Sequence, residues 1–382
     1  MIPASVYDDT LRSFLAPITP LLDDETVTEI MVNGPDEIFI ERKGRLTKTE
    51  AKFASPEKLM SALRVIAQFV GRPFDELHPI LEARLPDGSR VEALLPPVAP
   101  DGPSVAIRRF SKEQLTLARL LEFGALTRDA AETLRVLVEC KQNIVVAGGT
   151  GSGKTSLLNA LSALVPEGER IVVIEDAREL QLQREHVVQL EARPADSRGK
   201  GAVTIRDLFK ATLRLRPDRI VLGEIRSGEA LDLIQAMTSG HGGCLTTVHA
   251  TYPIDTLNRL ETMALMGGVE LPLVALRAQL ASAVDIIVQT ARLRDGRRQV
   301  THITEVTSTD PVHGYRLKDL FASVPVKQPC NGGVQSDLEP TGVLPDCLGL
   351  LRSHGCDLPA AVYAVNQQAR GIDLKGPHGD VS

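Results

Sequence analysis

Residues 148–155 read Gly-Gly-Thr-Gly-Ser-Gly-Lys-Thr, which meets every fixed position of the phosphate-binding pattern G-x-x-x-x-G-K-[ST]. No other run constrains the fold as much. Asn143 to Ala147 (NIVVA) has the composition of a short buried strand, and Ser156 onward (SLLNALSAL) that of a helix. Strand, glycine loop and helix in that order aim main-chain N–H groups and a helix N-terminus at one point. Gly148, Gly149, Thr150, Gly151, Ser152, Gly153, Lys154, Thr155 and Ser156 are therefore the candidate phosphate-binding residues. Lys154 is placed to reach the β- and γ-phosphates of ATP, and Thr155 to hold Mg²⁺.

A chain of 382 residues has room for two domains. No apolar run approaches the ~18 residues of a membrane-spanning helix. The N-terminus (MIPASVYDDTLRSF) has no basic segment followed by an apolar one, so no secretory leader and no direct membrane insertion are expected, and the expected location is cytoplasmic. Cys140, Cys244, Cys330, Cys347 and Cys356 are scattered, with no C-x-x-C pair, and are expected to be reduced structural thiols. A net charge of −6, with 3% aromatic residues and no Trp, argues against nucleic acid as a partner.

Early in the chain, Thr28 to Val32 and Glu37 to Arg42 read as strands around the turn Asn33-Gly34-Pro35-Asp36. Ser55-Pro56 opens a helix with Leu59, Leu63, Ile66 and Val70 on one face, closed by Gly71. Arg90 to Leu95 and Ser104 to Phe110 are further strands, separated by a proline-rich loop. Past Thr127 the pattern changes to short apolar runs alternating with helices: Ile171 to Ile174, Arg219 to Leu222 and Cys244 to Val248. Thr204 and Asp207 form a capping box, and Ser227 opens a helix ending near Gly240. Such alternation implies a parallel sheet covered on both faces. Asp295-Gly296 marks a β-hairpin. The expected fold class is α/β, a P-loop domain preceded by a smaller α/β N-terminal domain. The boundaries are an N-terminal domain over 1–110, a linker over 111–128, the P-loop domain over 129–321 and an extension over 322–382. Within the extension, 328–340 reads as loop, 348–351 and 360–365 as short helices, and 376–382 as disordered.

Two apolar strands end in carboxylates, at Glu175-Asp176 and at Glu224. The carboxyl ends of parallel strands gather at one edge, beside the loop. Hydrolysis needs one carboxylate on the Mg²⁺ side and one to orient water. Glu224 is assigned to the first part and Glu175 to the second, the residue types themselves leaving the choice open, and helix capping is the alternative for each. His241 and His249 flank a glycine loop and a strand in SGHGGCLTTVHA and are candidates to sense the γ-phosphate. Arg84, Arg90, Arg108 and Arg109, and Arg206, Arg214 and Arg216, are candidate phosphate-pairing guanidiniums.

In sum, the P-loop, IEDARELQL, LRLRPDRIVLGEIR and SGHGGCLTTVHA follow one another at close spacing. In this the chain resembles the type II/type IV secretion traffic ATPase superfamily. With VTEIMVNGPDEIFIERKGRL, LPDGSRVEALLPP and THITEV it resembles the CpaF/TadA branch of tight-adherence (Flp-type) pili, and the conjugation ATPase TrbB is similar. The resemblance implies a RecA-like motor assembled as a homo-hexamer, docked peripherally on an inner-membrane platform protein and driving pilus assembly, retraction or secretion. It carries Walker A to Gly153, Lys154 and Thr155, the Asp box to Glu175, an atypical Walker B to Glu224, and the His box to His241 and His249. It gives Arg90, Arg108 and Arg214 phosphate contacts. Gly223 stands where other P-loop proteins carry a magnesium-binding Asp, so their Mg²⁺ geometry does not transfer. The competing readings are a conjugative TrbB-type ATPase, a nucleic-acid translocase and a non-hydrolysing ATP-gated scaffold.

Overall fold

In the first hundred residues, apolar side chains alternate along the strands and recur every three to four positions along one helix. The computed structural model describes residues 10–42, 44–110, 115–195, 199–310, 312, 314–325 and 336–369. A first unit takes in Met1–Glu113 and Ala195–Gly201. After α1 (Thr19–Asp23), its strands are β1 (Val27–Asn33), β2 (Glu37–Arg42), β3 (Arg45–Lys48), β4 (Ile80–Arg84), β5 (Arg90–Leu94) and β6 (Ser104–Arg108), with α2 (Pro56–Val70) between β3 and β4. Among the described residues they form a six-stranded antiparallel sheet, ordered β3-β2-β1-β6-β5-β4. Inward residues such as Ile30, Val32, Val91 and Ile107 pack against Leu59, Leu63 and Ile66 of α2. Ser55 caps α2, its side chain accepting from Lys58 N–H, and Gly71 ends the helix. One face is thus buried, and the other is more exposed and mixed, with Phe39, Met31 and Ala106 in one row beside charged residues.

The second unit takes in Gln114–Pro194 and Ala202–Ser382. Its helices are α3 (Leu117–Glu122), α4 (Arg128–Glu139), α5 (Lys154–Ser162), α6 (Ile205–Thr212), α7 (Glu229–Thr238), α8 (Pro253–Leu265), α9 (Leu273–Ala283), α10 (Leu348–Ser353) and α11 (Ala360–Ala369). Its strands are β7 (Ile144–Gly148), β8 (Ile171–Glu175), β9 (Val187–Glu191), β10 (Arg219–Leu222), β11 (Leu245–His249), β12 (Ile286–Arg292), β13 (Arg298–Asp310), β14 (Gly314–Pro325) and β15 (Ser336–Pro340). They lie in the order β15-β14-β13-β12-β7-β11-β10-β8-β9. Strands β12 through β9 in that order are parallel, and β13, β14 and β15 are antiparallel additions. Along β7, Ile144 and Val146 face a core shared with α4 and α5, while Val145 and Ala147 face one shared with α7, α8 and α9. Both faces are covered, as the unbroken apolar strands require. The chain first builds β8, β10 and β11 on one side of β7 and then crosses to β12 on the other. The carboxyl end of β7 is therefore a topological switch point, where ligands of parallel α/β sheets bind.

Two boundaries differ from expectation. The part of 115–128 expected as linker holds α3, capped by Thr116, with Leu120 buried and Leu115, Leu117 and Leu121 packed on the core. Residues 111–114 lie outside the described residues. The extension expected from 322 does not stand apart: β14 runs through that point and β15, expected as loop, pairs with it. Leu338, Leu351, Leu358 and Val362 enter the α4–α5 core, and Thr127 Oγ1 donates to Leu338 O at 3.0 Å. The segment 376–382 lies outside the described residues. The helix expected to open at Ser227 begins at Glu229, whose carboxylate accepts from the N–H groups of Arg226 and Ser227. Cys140, Cys244, Cys347 and Cys356 carry free thiols.

At the amino edge of the sheet, Asp285 accepts from Asn143 N–H at 2.7 Å. Burial pushes its carboxyl from 3.8 up to about 6, against the pull of that N–H. Its folded value lies above its unfolded one, so stability falls as pH rises from about 4 to about 6. Asp285→Asn keeps an acceptor and removes the charge. Relative to the parent it is expected to gain up to about 3 kcal/mol near pH 7.5 and almost nothing near pH 4. Urea unfolding at the two pH values checks this; an equal difference at both would contradict it.

Candidate functional site

Strand register builds the site. Gly148, the last residue of β7, pairs with His249 on β11 and with Thr290 on β12. Thr290 Oγ1 donates to Ala147 O at 2.9 Å. Ser152 Oγ lies within hydrogen-bond distance of Thr290 Oγ1 (2.8 Å) and Gly149 O (2.9 Å). A Cβ on Gly148 would come within 2.2 Å of Thr290 Oγ1 and 2.4 Å of Ser152 Oγ, so only glycine fits. Gly153 then turns the chain into α5 at φ 96°, a left-handed value that penalises any side chain. Thr155 and Ser156 sit half-buried on the first turn of α5.

Lys154 is only 7% exposed. Its Nζ donates to Gly149 O at 2.9 Å and lies 3.3 Å from His249 Nδ1. An ammonium has only donors, so Nδ1 accepts and Nε2 carries the ring hydrogen. Nε2 lies 3.3 Å from Glu224 Oε1. Arg226 Nε reaches the same oxygen at 3.3 Å, and its Nη1 reaches Asp176 Oδ2 at 3.0 Å. A continuous chain of contacts thus runs Lys154–His249–Glu224–Arg226–Asp176. Burial, followed by the Lys154 charge, holds the His249 imidazole below its ordinary range, with Glu224 opposing. His249 is accordingly neutral near pH 7.

Glu175 is buried at the end of β8, and its Oε1 accepts from the N–H groups of Glu179 (2.8 Å) and Leu180 (2.9 Å). It caps the following turn, the alternative role considered for it, while lying in the same carboxyl-edge layer as Glu224. Its Cγ would be 3.0 Å from a Cβ on Gly223. The Glu175 side chain therefore occupies the space a residue-223 side chain would need. Thr247 Oγ1 donates to Gly223 O at 2.7 Å and fixes that turn.

Within the same unit, His241 and Arg214 are not brought to this edge. His241 precedes β11 by four residues, and a Cβ on its neighbour Gly242 would lie 3.5 Å from Lys141 O, just before β7. It sits at the amino edge, about 16 Å away at ~3.3 Å per strand residue. The expectation that it senses the γ-phosphate is corrected: the glycine loop reverses the chain into β11, and only His249, at the far end, faces the P-loop. Arg214 is exposed in the turn between α6 and β10. That turn also lies at the amino edge, with Leu215 O accepting from Arg170 Nε at 2.9 Å beside the start of β8. Within its own unit Arg214 does not reach the loop. Arg90 and Arg108 belong to the first unit, where Arg84, Arg90 and Arg108 form one row across β4, β5 and β6. Arg109 Nη1 bonds to Val27 O at 2.9 Å, and Arg206 Nε to Asp232 at 2.6 Å, both structural roles.

Sequence reasoning did not single out Thr290, Arg226, Arg292 or Arg298. Arg298 Nε donates to Gly151 O at 2.8 Å. Beside Thr290 and Arg298 lies a cleft of about 340 Å³, its walls including Leu120, Phe123, Leu126, Gly153, Ser156 and Arg298. The hairpin that carries Thr290, Arg292 and Arg298 was visible as Asp295-Gly296, but strand facing cannot be read without register.

A glycine loop at the switch point of a parallel sheet, a lysine folded over it and acidic strand ends along the same edge define a P-loop nucleotide-hydrolysing protein. The family of type II/IV secretion system proteins matches residues 12–316, and the chain belongs to that family; it is an ATPase. The conjugal transfer protein TrbB of Rhizobium radiobacter is 36% identical over 288 residues, covering 74% of this chain and 85% of TrbB. The type IV secretion system protein VirB11 of Bartonella quintana is 33% identical over 328 residues, covering 76% of this chain and 91% of VirB11. The fold is shared with the Legionella pneumophila ATPase DotB at a TM-score of 0.54 and 19% identity, over 75% of this chain and 79% of that one.

Gly148→Ala forces the new methyl into Thr290 and Ser152. It is expected to cost about 1–3 kcal/mol of stability and to abolish nucleotide retention. Urea unfolding and filter-binding of ATP check this; parent-like values in both would contradict the packing described.

Proposed function

We propose that this ATPase drives a membrane-associated secretion or pilus machine through ATP hydrolysis at the carboxyl edge of its nine-stranded sheet. The carrying observation is the contact chain Lys154–His249–Glu224–Arg226–Asp176, which ties the loop to two acidic strand ends. In this reading the amides of 148–156 hold the phosphates and the cleft beside Ser156 takes the nucleoside. Lys154 leaves Gly149 O for the terminal phosphates, and His249, losing that partner, reports their presence to Glu224. Glu175, its Oε1 fixed by two amides, orients the attacking water. The hydroxyl of Thr155 and the carboxylate of Glu224 are hard oxygen donors, and the described residues hold no cluster of three or more His, Cys, Asp or Glu. That set fits an ion carried largely by phosphate and water, as Mg²⁺ is. When bound, Mg²⁺ would neutralise charge on the phosphate oxygens. Arg90, Arg108 and Arg214 remain candidates for phosphate contacts in an assembled homo-hexamer.

No described helix is long and apolar enough to cross a membrane. Docking on an inner-membrane platform protein is proposed from the resemblance of the sequence. The tight-adherence pilus branch is proposed on its sequence segments, VTEIMVNGPDEIFIERKGRL, LPDGSRVEALLPP and THITEV. The 36% identity to TrbB favours conjugative transfer as a second reading. Deleting the gene separates the two: loss of surface pili supports the first, and loss of plasmid transfer with pili intact supports the second.

Glu224→Gln removes one charge and little volume. It is expected to lower phosphate release about a hundredfold or more while ATP binding persists. Turnover is expected to be independent of single-stranded DNA. Parent-level release from Glu224→Gln would overturn its role, and turnover appearing only with DNA would support the translocase reading instead.

A further inference from the structure

The glycine loop separates two flanks of opposite charge. On the β11, β10 and β8 side stand Glu224, Glu175 and Asp176, with Arg226 bonded to the first and last of them. On the β12–β13 side stand Arg292 and Arg298, two exposed residues directly paired across the hairpin. Both guanidiniums lean on one turn of the loop. Arg298 Nε donates to Gly151 O at 2.8 Å, and its Cδ would lie 3.4 Å from a Cβ on Gly153. Arg292 Nη1 would lie 3.6 Å from a Cβ on Gly151. Both guanidiniums thus stand against the turn whose main-chain N–H groups would receive a phosphate. Arg298 also lines the cleft beside Gly153 and Ser156, which places it between that cleft and the phosphate loop.

We propose that Arg292 and Arg298 form a phosphate clamp in which both guanidiniums contact the non-terminal phosphates of the bound nucleotide, Arg298 giving up Gly151 O to do so. This rests on the reading of the loop as the ATP site. The terminal phosphate then faces the acidic flank with His249, and the α- and β-phosphates face the basic flank. Guanidinium suits this because its fixed fork pairs with two phosphate oxygens at once.

The test uses the full chain with Arg292→Ala, Arg298→Ala, the double variant and Arg298→Lys. Affinities for ATP and for inorganic tripolyphosphate are measured by displacement of a fluorescent ATP analogue. The double variant is expected to lose about 10- to 100-fold in affinity for both ligands, as charge-assisted bonds of this kind imply. Arg298→Lys is expected to recover part of the single-variant loss, keeping the charge without the fork. Parent-level tripolyphosphate affinity in the double variant would overturn the clamp, even if ATP binding weakened, because the arginines would then serve only the nucleoside cleft. Lys154→Ala runs alongside. If it loses tripolyphosphate while the double variant does not, the clamp fails and the ATP site stands. If Lys154→Ala binds like the parent, the ATP site itself is wrong and the clamp falls with it.

Discussion

One row of residues across three strands, His249, Gly148 and Thr290, sets what the second unit can do. Because β7 is buried on both faces, a slip of one residue would exchange the contents of two apolar cores, so the register is held firmly. With it held, Thr290 supports the base of the loop, Gly148 has no room for a side chain, and His249 meets Lys154 as the loop returns into α5. Glu224, two residues past the end of β10, then falls beside His249. The chemistry of the edge follows from strand pairing before any ligand is considered.

The electrostatics follow the same geometry. A lysine as buried as Lys154 needs compensation, and the Gly149 carbonyl and a neutral His249 supply it. The neutral imidazole passes the interaction to Glu224, which Arg226 also holds. The neutral ring stands between the cation Lys154 and the anion Glu224, and in the proposed mechanism an arriving anion that draws Lys154 away would be felt at Glu224 through it. The opposite edge of the sheet does structural work: the fully buried Arg219 pairs with Glu169, and Asp285 ties the start of β12 to Asn143. His241 belongs to that edge.

Much of this was legible in the sequence because local rules coincide with the fold there. Ser55 and Pro56 begin a helix as capping predicts, Thr204 and Asp207 close a capping box, and Asp295-Gly296 turns a hairpin. The loop and the two acidic strand ends were readable because each follows an apolar run. His241 and His249 looked equivalent in one motif, yet a strand separates them, and only pairing shows which end meets the loop. Arg292 and Arg298 were invisible for the same reason, since facing depends on register. Leu338 lies in a glycine- and proline-rich stretch that read as loop, and its burial follows from pairing with β14, which composition does not show. Glu175 shows a different limit: capping and catalysis call for the same residue at the same strand end.

The most direct measurement is the structure of the protein bound to a non-hydrolysable ATP analogue with Mg²⁺. The account predicts phosphates against the amides of 148–156, with Lys154 Nζ moved from Gly149 O and His249 onto them, and the Thr290–Ser152 contact unchanged. Nucleotide bound elsewhere, or Lys154 still on Gly149 O with the analogue present, would contradict it.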